Sequence, residues 1–315
     1  MNSNLLDVDK VDVKIFKGHK GEVNSCSFTS DNDLFATASD DKQIIIWSVS
    51  KKTRLCELVG HKGPVNTCKF SHNNKILASG SHDATVRLWK TSTSACMNIL
   101  FGHTKSVESV SFSLDDSQLC SSSWDKTLIV WSVENGDTLY TLTGHTDCVK
   151  ACTFSYDSHL IASGGWDNSI RVWNIKPTIK ETGDQAKWLL RKYKKLNDEV
   201  YVITLTGHTG NVQAVAFSKV NVLASGSFDK TVRLWNPFNG NMLKVFYGHT
   251  GWVKAVTFSL DSTELASTAD DGTIHVWNIL SEKCNKIEQD YTDLAQYCSF
   301  SKTGGLLTSG AAAIV

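Results

Sequence analysis

A Gly-His pair, an Asp and a Trp recur along this chain in a fixed order and at a nearly fixed spacing. Gly-His stands at His19, His61, His103, His145, His208 and His249. An Asp follows each by 21 or 22 residues, at Asp41, Asp83, Asp125, Asp167, Asp229 and Asp271. A Trp follows each Asp by six, at Trp47, Trp89, Trp131, Trp173, Trp235 and Trp277. The unit is about 42 residues long, with one insertion after the fourth copy. Its clearest copy, GHKGPVNTCKFSHNNKILASGSHDATVRLW from Gly60 to Trp89, divides short apolar stretches with turn residues.

A period of this length, opening on Gly-His and closing on Trp, reads as one four-stranded blade of a β-propeller. Three strands follow each Gly-His. The first is Val-x-x-x-x-Phe: Val23–Phe28, Val65–Phe70, Val107–Phe112, Val149–Phe154, Val212–Phe217 and Val253–Phe258. The second carries Ala-Ser-Gly or a relative of it, and the third ends in the Trp. Alternating stretches ahead of each Gly-His (Thr53–Val59, Cys96–Phe101, Leu139–Thr143, Val200–Thr206, Leu243–Tyr247) read as outer strands of the preceding blade. Val11–Lys17 has no preceding blade, so it is expected to pair with the last one and close the ring.

A ring of repeats makes 315 residues natural as one domain. The expected organisation is a loose leader over 1–10 and a single propeller domain over 11–315. Within it lie an insertion over 176–199 and a degenerate last repeat over 290–315. In that last repeat Ala295–Phe300 and Leu306–Gly310 resemble first and second strands, but Tyr291 replaces the His and Ala313 the Asp. A shortened product accounts for this better than a partner strand that completes the blade.

Lys+Arg and Asp+Glu both number 32, so no net charge draws the chain to nucleic acid or membrane. No stretch is long and apolar enough to span a bilayer, and the polar start lacks a signal peptide's character. An intracellular setting, cytoplasmic or nuclear, is expected. Of the nine cysteines, Cys26, Cys68, Cys152 and Cys298 lie two residues before a first-strand Phe, where other repeats place Val110, Val215 or Val256. A slot shared by Cys and Val calls for a small buried hydrophobe. There is no Cys-x-x-Cys, so neither a metal nor a cofactor is expected.

A Ser or Thr precedes each Asp by four: Thr37, Ser79, Ser121, Ser163, Ser225 and Ser267. Six identical Ser-His-Asp triads in one chain would be absurd as catalysts, and no nucleophile-elbow motif accompanies them. They read instead as a structural relay in each blade, in which Trp indole, hydroxyl, His ring and carboxylate satisfy one another: His61, Ser79, Asp83, Trp89; His103, Ser121, Asp125, Trp131; His145, Ser163, Asp167, Trp173; His208, Ser225, Asp229, Trp235. With these residues in place, the units resemble those of the WD-repeat (β-transducin-type) propeller family from about Val11 to Gly310. One departure is that the residue after Trp, usually Asp in the family, is Ser48, Lys90, Ser132, Asn174, Asn236 or Asn278. The fold expected is therefore all-β: a seven-bladed β-propeller with six complete WD repeats and an incomplete seventh, closed by the N-terminal strand.

The resemblance also implies where a partner would sit. WD-repeat propellers present three positions per blade on one face: the residue before the Asp, and the residues on either side of the first-strand Val. Here they are Asp40, His82, Trp124, Trp166, Phe228 and Asp270; then Glu22, Pro64, Ser106, Cys148, Asn211 and Trp252; then Asn24, Asn66, Glu108, Lys150, Gln213 and Lys254. Trp124, Trp166, Phe228 and Trp252 fall in four consecutive units and are expected to form an aromatic arc, with Lys150 and Lys254 beside it. Exposed aromatics of this kind mark interface hot spots; the alternative is that each ring caps its own blade. The insertion carries Lys187, Arg191, Lys192, Lys194 and Lys195 around Trp188, Leu189, Tyr193 and Leu196. Leu189, Tyr193 and Leu196 would share one face of a short basic helix, meeting an acidic partner or, more simply, packing on the propeller.

No nucleophile, metal cluster or phosphate loop stands out. The function expected is a non-enzymatic scaffold that binds a protein or peptide on its ring face, acting as a monomer within a larger complex. The rival is a substrate-recognition subunit of a ubiquitin ligase or chromatin-modifying assembly, and a ligand-binding enzyme comes a distant third.

Overall fold

The computed structural model describes residues 16–175, 194–195, 200–281, 283–288, 295–300 and 306–310. Six antiparallel sheets follow one another along the chain, each with four strands in sequence order, and the fourth carries one short extra strand at its outer edge. Blade one is Val23–Phe28, Leu34–Ser39, Gln43–Ser48 and Thr53–Val59, and the others repeat it. The first strands of successive blades lie side by side, which makes them the inner wall of a ring. All six occupy the spans expected from Val-x-x-x-x-Phe.

Each inner strand carries a bulge immediately after its Val. In blade two, for example, Val65 pairs with Ser81 and Thr67 with Gly80, leaving Asn66 outside the ladder. The same break leaves out Asn24, Glu108, Lys150, Gln213 and Lys254. Apolar residues three and then two apart (Val65, Cys68, Phe70) demand it: strict alternation cannot bury all three on one side, and one extra residue restores the phase.

Hydrophobic cores lie between blades. Leu77 and Trp89 of blade two pack with Ala36, Ala38, Ile44 and Ile46 of blade one. Trp173 and Phe154 of blade four pack with Leu128, Val130 and Leu142 of blade three. Each such side chain, fully buried, contributes about 1.5–3 kcal/mol, so no blade is stable without its neighbour. Cys26, Cys68 and Cys152 are buried free thiols in the slot shared with Val. Turns at the far end from Gly-His add polar stitches. Asn74 accepts the Ser30 N–H (2.7 Å), Asp116 the His72 N–H (2.7 Å) and Ser158 the Leu114 N–H (2.8 Å). Asn74, Asp116 and Ser158 all have positive φ near 60°, a conformation that Asn and Asp tolerate well.

The expected seven-bladed ring is corrected to six blades. Beyond blade six, among the described residues, Ala295–Phe300 and Leu306–Gly310 pair as a two-stranded sheet beside the inner strands of blades six and one. Tyr291 and Ala313 stand where the His and Asp of the relay would be, and the two described strands are not a blade. Closure by Val11–Lys17 lies mostly outside the described residues. Its Phe16 packs edge-on against Phe35 of blade one, with ring centroids 4.7 Å apart. The leader 1–10 and most of 176–199 also lie outside them. Within the insertion Lys194 and Lys195 are extended, pairing with Val202 and Tyr201 as a fifth strand on blade four. That interrupts the helix expected through Leu189, Tyr193 and Leu196.

Candidate functional site

The ring face is built on the relay. In every blade the Trp indole N–H donates to the Ser or Thr hydroxyl at 2.8–2.9 Å. That hydroxyl lies 2.7–2.8 Å from the His Nε2, and the His Nδ1 lies 2.7–3.2 Å from the Asp carboxylate. The carboxylate also accepts the main-chain N–H of the residue after His, as from Thr104 and Thr146 at 3.0 Å. A fifth member escaped the sequence reading. A hydroxyl two residues after the Asp (Thr85, Thr127, Ser169, Thr231, Thr273) donates to it at 2.6–2.7 Å in five blades. Its signal was plain, since only blade one, with Gln43, lacks it.

Protonation follows from these partners. Burial pulls His145 and His208 below the ordinary histidine range, outweighing the neighbouring carboxylates, so both rings are neutral. Burial alone would raise Asp167. The hydrogen bond from His145, the Ser169 hydroxyl and the Thr146 N–H outweigh it and hold the carboxyl well below its usual range.

One more bond brings the candidate residues to a common face. The N–H of the residue before each Asp donates to the carbonyl of the residue before each Val: Trp124 to Ser106 (3.0 Å), Trp166 to Cys148 (2.8 Å), Phe228 to Asn211 (2.9 Å), Asp270 to Trp252 (3.0 Å) and His82 to Pro64 (2.9 Å). The bulge turns the third position out beside them.

The expected aromatic arc resolves into two pairs. Trp124 and Trp166 meet at 5.4 Å and a 53° tilt. Phe228 stacks on Trp252 at 4.3 Å and 17°. Their outer members stay exposed, Trp124 by 44% and Trp252 by 48%. The two lysines are already engaged. Lys254 pairs with Asp270 at 3.2 Å and lies over both Phe228 and Trp252. Lys150 pairs with the buried carboxylate of Glu108, which also accepts from Ser106 (2.7 Å) and Asn66 (3.2 Å). That node joins blades two, three and four. His82 is exposed and occupies in blade two the position that Trp124 holds in blade three. Among the described residues, no three His, Cys, Asp or Glu side chains are grouped to hold a metal.

Comparison with known proteins agrees with this architecture. The family model for the WD domain, G-beta repeat, matches residues 10–48, 52–90, 94–132, 136–174, 199–236 and 240–278. The chain belongs to the WD-repeat family. Nuclear distribution protein PAC1 of Arthroderma benhamiae is 39% identical over 92 residues, covering 26% of this chain and 20% of that protein. Lissencephaly-1 homolog 1 of Paramecium tetraurelia is 37% identical over 84 residues, covering 26% and 21%. Small ribosomal subunit protein RACK1y of Oryza sativa subsp. japonica is 39% identical over 80 residues, covering 24% of each. The WD-repeat chain thus matches less than a quarter of the length of each relative.

Neighbouring serines in blade three should respond oppositely to truncation. Ser121→Ala strands the Trp131 indole and a face of His103, and should cost about 1–3 kcal/mol. The Ser122 hydroxyl is buried without a partner among the described residues, so Ser122→Ala should be neutral or stabilising by about 1 kcal/mol. Urea unfolding of both variants checks the pair; equal losses would contradict the assignment. Acidification supplies a second test. Both His and Asp are depressed in the folded state, so the unfolded chain binds protons first. The stability they contribute is whole above about pH 6.5. It should fall through the unfolded histidine range and again below about pH 4. Thermal melts from pH 8 to 3 should show both declines, and a melting temperature unchanged down to about pH 5 would contradict the first.

Proposed function

We propose that this WD-repeat chain is a non-enzymatic scaffold that docks a peptide segment of a partner protein on its ring face. The observation that carries this is the pair of aromatic stacks in which Trp124 and Trp252 remain nearly half exposed. Each ring has a stacking neighbour that fixes it, so a partner side chain can be gripped with little further loss of conformational freedom. With Lys150 and Lys254 already paired, the surface around the stacks offers little net charge. The segment it suits is therefore apolar or aromatic rather than strongly acidic. An intracellular setting fits this reading.

A second reading makes the chain the substrate-recognition subunit of a ubiquitin ligase or chromatin-modifying assembly. It is favoured by apolar side chains exposed at the ends of outer strands, away from the ring face. Val59, Phe101 and Tyr247, each just before a Gly-His, are 65%, 73% and 75% exposed. The tracts 106–113, 164–167 and 309–312 also resemble WD repeat-containing protein thirty-eight, a likeness that brings no activity with it.

One experiment addresses both readings. Peptides selected from a displayed random library on the wild-type chain are titrated against the Trp124→Ala/Trp252→Ala variant, with Leu280→Ala as an exposed control. The aromatic variant should bind at least about tenfold more weakly while melting at the wild-type temperature. Equal affinity would remove the docking face. The same proteins, isolated from cells, are assayed for co-purifying ligase or histone-modifying activity, and its loss with Phe101→Ser/Tyr247→Ser would favour the second reading.

A further inference from the structure

The opposite end of the central channel, away from the aromatic pairs, holds a cavity of about 390 Å³. Its wall includes the residue before the closing Phe of each inner strand in blades one to four: Ser27, Lys69, Ser111 and Thr153. Three of these are hydroxyls and one is a lysine. Among the described residues, the Lys69 ammonium has no hydrogen-bond or ion-pair partner. Burial draws its pKa below the ordinary lysine value, against a smaller opposing pull from the Cys26 and Cys68 thiols.

The neighbouring groups are donors. Ser27 Oγ accepts the Phe70 N–H at 3.1 Å and Ser111 Oγ accepts the Phe154 N–H at 3.3 Å, which leaves each hydroxyl hydrogen free to donate. Lys69 stands where those serines stand but has no acceptor to offer. The Ser113 N–H pairs with the Gln118 carbonyl at 2.9 Å, so the Phe112 N–H faces the channel without the hydroxyl cap that Phe70 and Phe154 have. Lys219 adds a second cation at the rim, over the Tyr156 ring. No carboxylate of the described residues lines the cavity. Those of the adjoining turns are engaged there: Asp31, Asp115, Asp157 and Asp261 each accept a hydroxyl of their own turn at 2.6 Å, and Asp116 accepts the His72 and Asn73 N–H groups at 2.7 and 2.9 Å.

We infer that this cavity binds a small phosphorylated molecule, its oxyanion held by the Lys69 ammonium and the Ser27 and Ser111 hydroxyls. Two lysines without a carboxylate match the charge of about −1.5 to −2 on a phosphate monoester near neutral pH. The volume suits a small molecule rather than a chain segment. The closing Phe rings of the inner strands give that molecule's uncharged part an apolar wall. The site lies on the other end of the ring from the docking face, so the two stand or fall separately.

The test is titration calorimetry of the intact chain with inorganic phosphate, and in parallel with acetate, at constant ionic strength. Phosphate should bind saturably and acetate at least about tenfold more weakly. Lys69→Met should weaken phosphate binding at least about tenfold, whereas the exposed control Leu280→Ala should leave it unchanged. Should Lys69→Met fail to fold, Lys69→Gln keeps the length and polarity of the side chain and must show the same loss. Phosphate binding that is absent, or equal in wild type and the Lys69 variant, overturns the inference. Acetate binding as tight as phosphate overturns the assignment of the ligand class.

Discussion

A single hydroxyl in each blade receives the indole N–H of a Trp and contacts the ring of a His, and the rest of the blade is arranged around it. The Trp belongs to the third strand, the hydroxyl to the second, the His to the loop that enters the first, and the Asp beyond it to the turn between second and third. Four stretches distant in sequence are thereby tied at one end of the blade. All of these groups are buried or nearly so, and each would cost about 1–3 kcal/mol if left unpaired. The relay therefore acts as a unit. It also explains why the face loops are firm: the carboxylate that ends the relay clasps the main chain after the His, and the residue before the Asp clasps the residue before the Val.

On that frame, the positions that differ between blades are free to diverge. They have done so unevenly. Blades two to four spend their polar face residues on one another, in the node formed by Asn66, Glu108 and Lys150. Blade six does the same with Lys254 and Asp270. What this leaves open on the ring face is aromatic surface, whereas the far end of the channel holds the Lys69 ammonium, unpaired among the described residues. The two ends of one ring thus offer different chemistry, although both are built from the same repeat.

Much of this was legible in the sequence because the repeat is spelled out by side chains with few alternative uses. The inner strands, the relay partners and the slot shared by Cys and Val all follow from residue type and spacing. The bulges were also present there, in the three-then-two spacing of Val65, Cys68 and Phe70, but alternation alone does not reveal a skipped residue. Seven blades were expected because Ala295–Phe300 and Leu306–Gly310 carry strand patterning. Patterning predicts strands, and it is the relay that makes a blade. The pairing of Trp124 with Trp166 and of Phe228 with Trp252 was out of reach, since it depends on how adjacent blades are rotated. So was the setting of Lys69, which reads as an ordinary outward residue until its ring of neighbours is known.

The claim on which this account rests is the direction of donation through the relay: Trp to hydroxyl, hydroxyl to His Nε2, and His Nδ1–H to Asp. Long-range nitrogen–proton spectra of the ¹⁵N-labelled chain at neutral pH read it directly from the histidine rings. His145 and His208 should be neutral, with the proton on Nδ1 and a bare Nε2. Rings protonated on Nε2, or carrying both protons at pH 7, would contradict it.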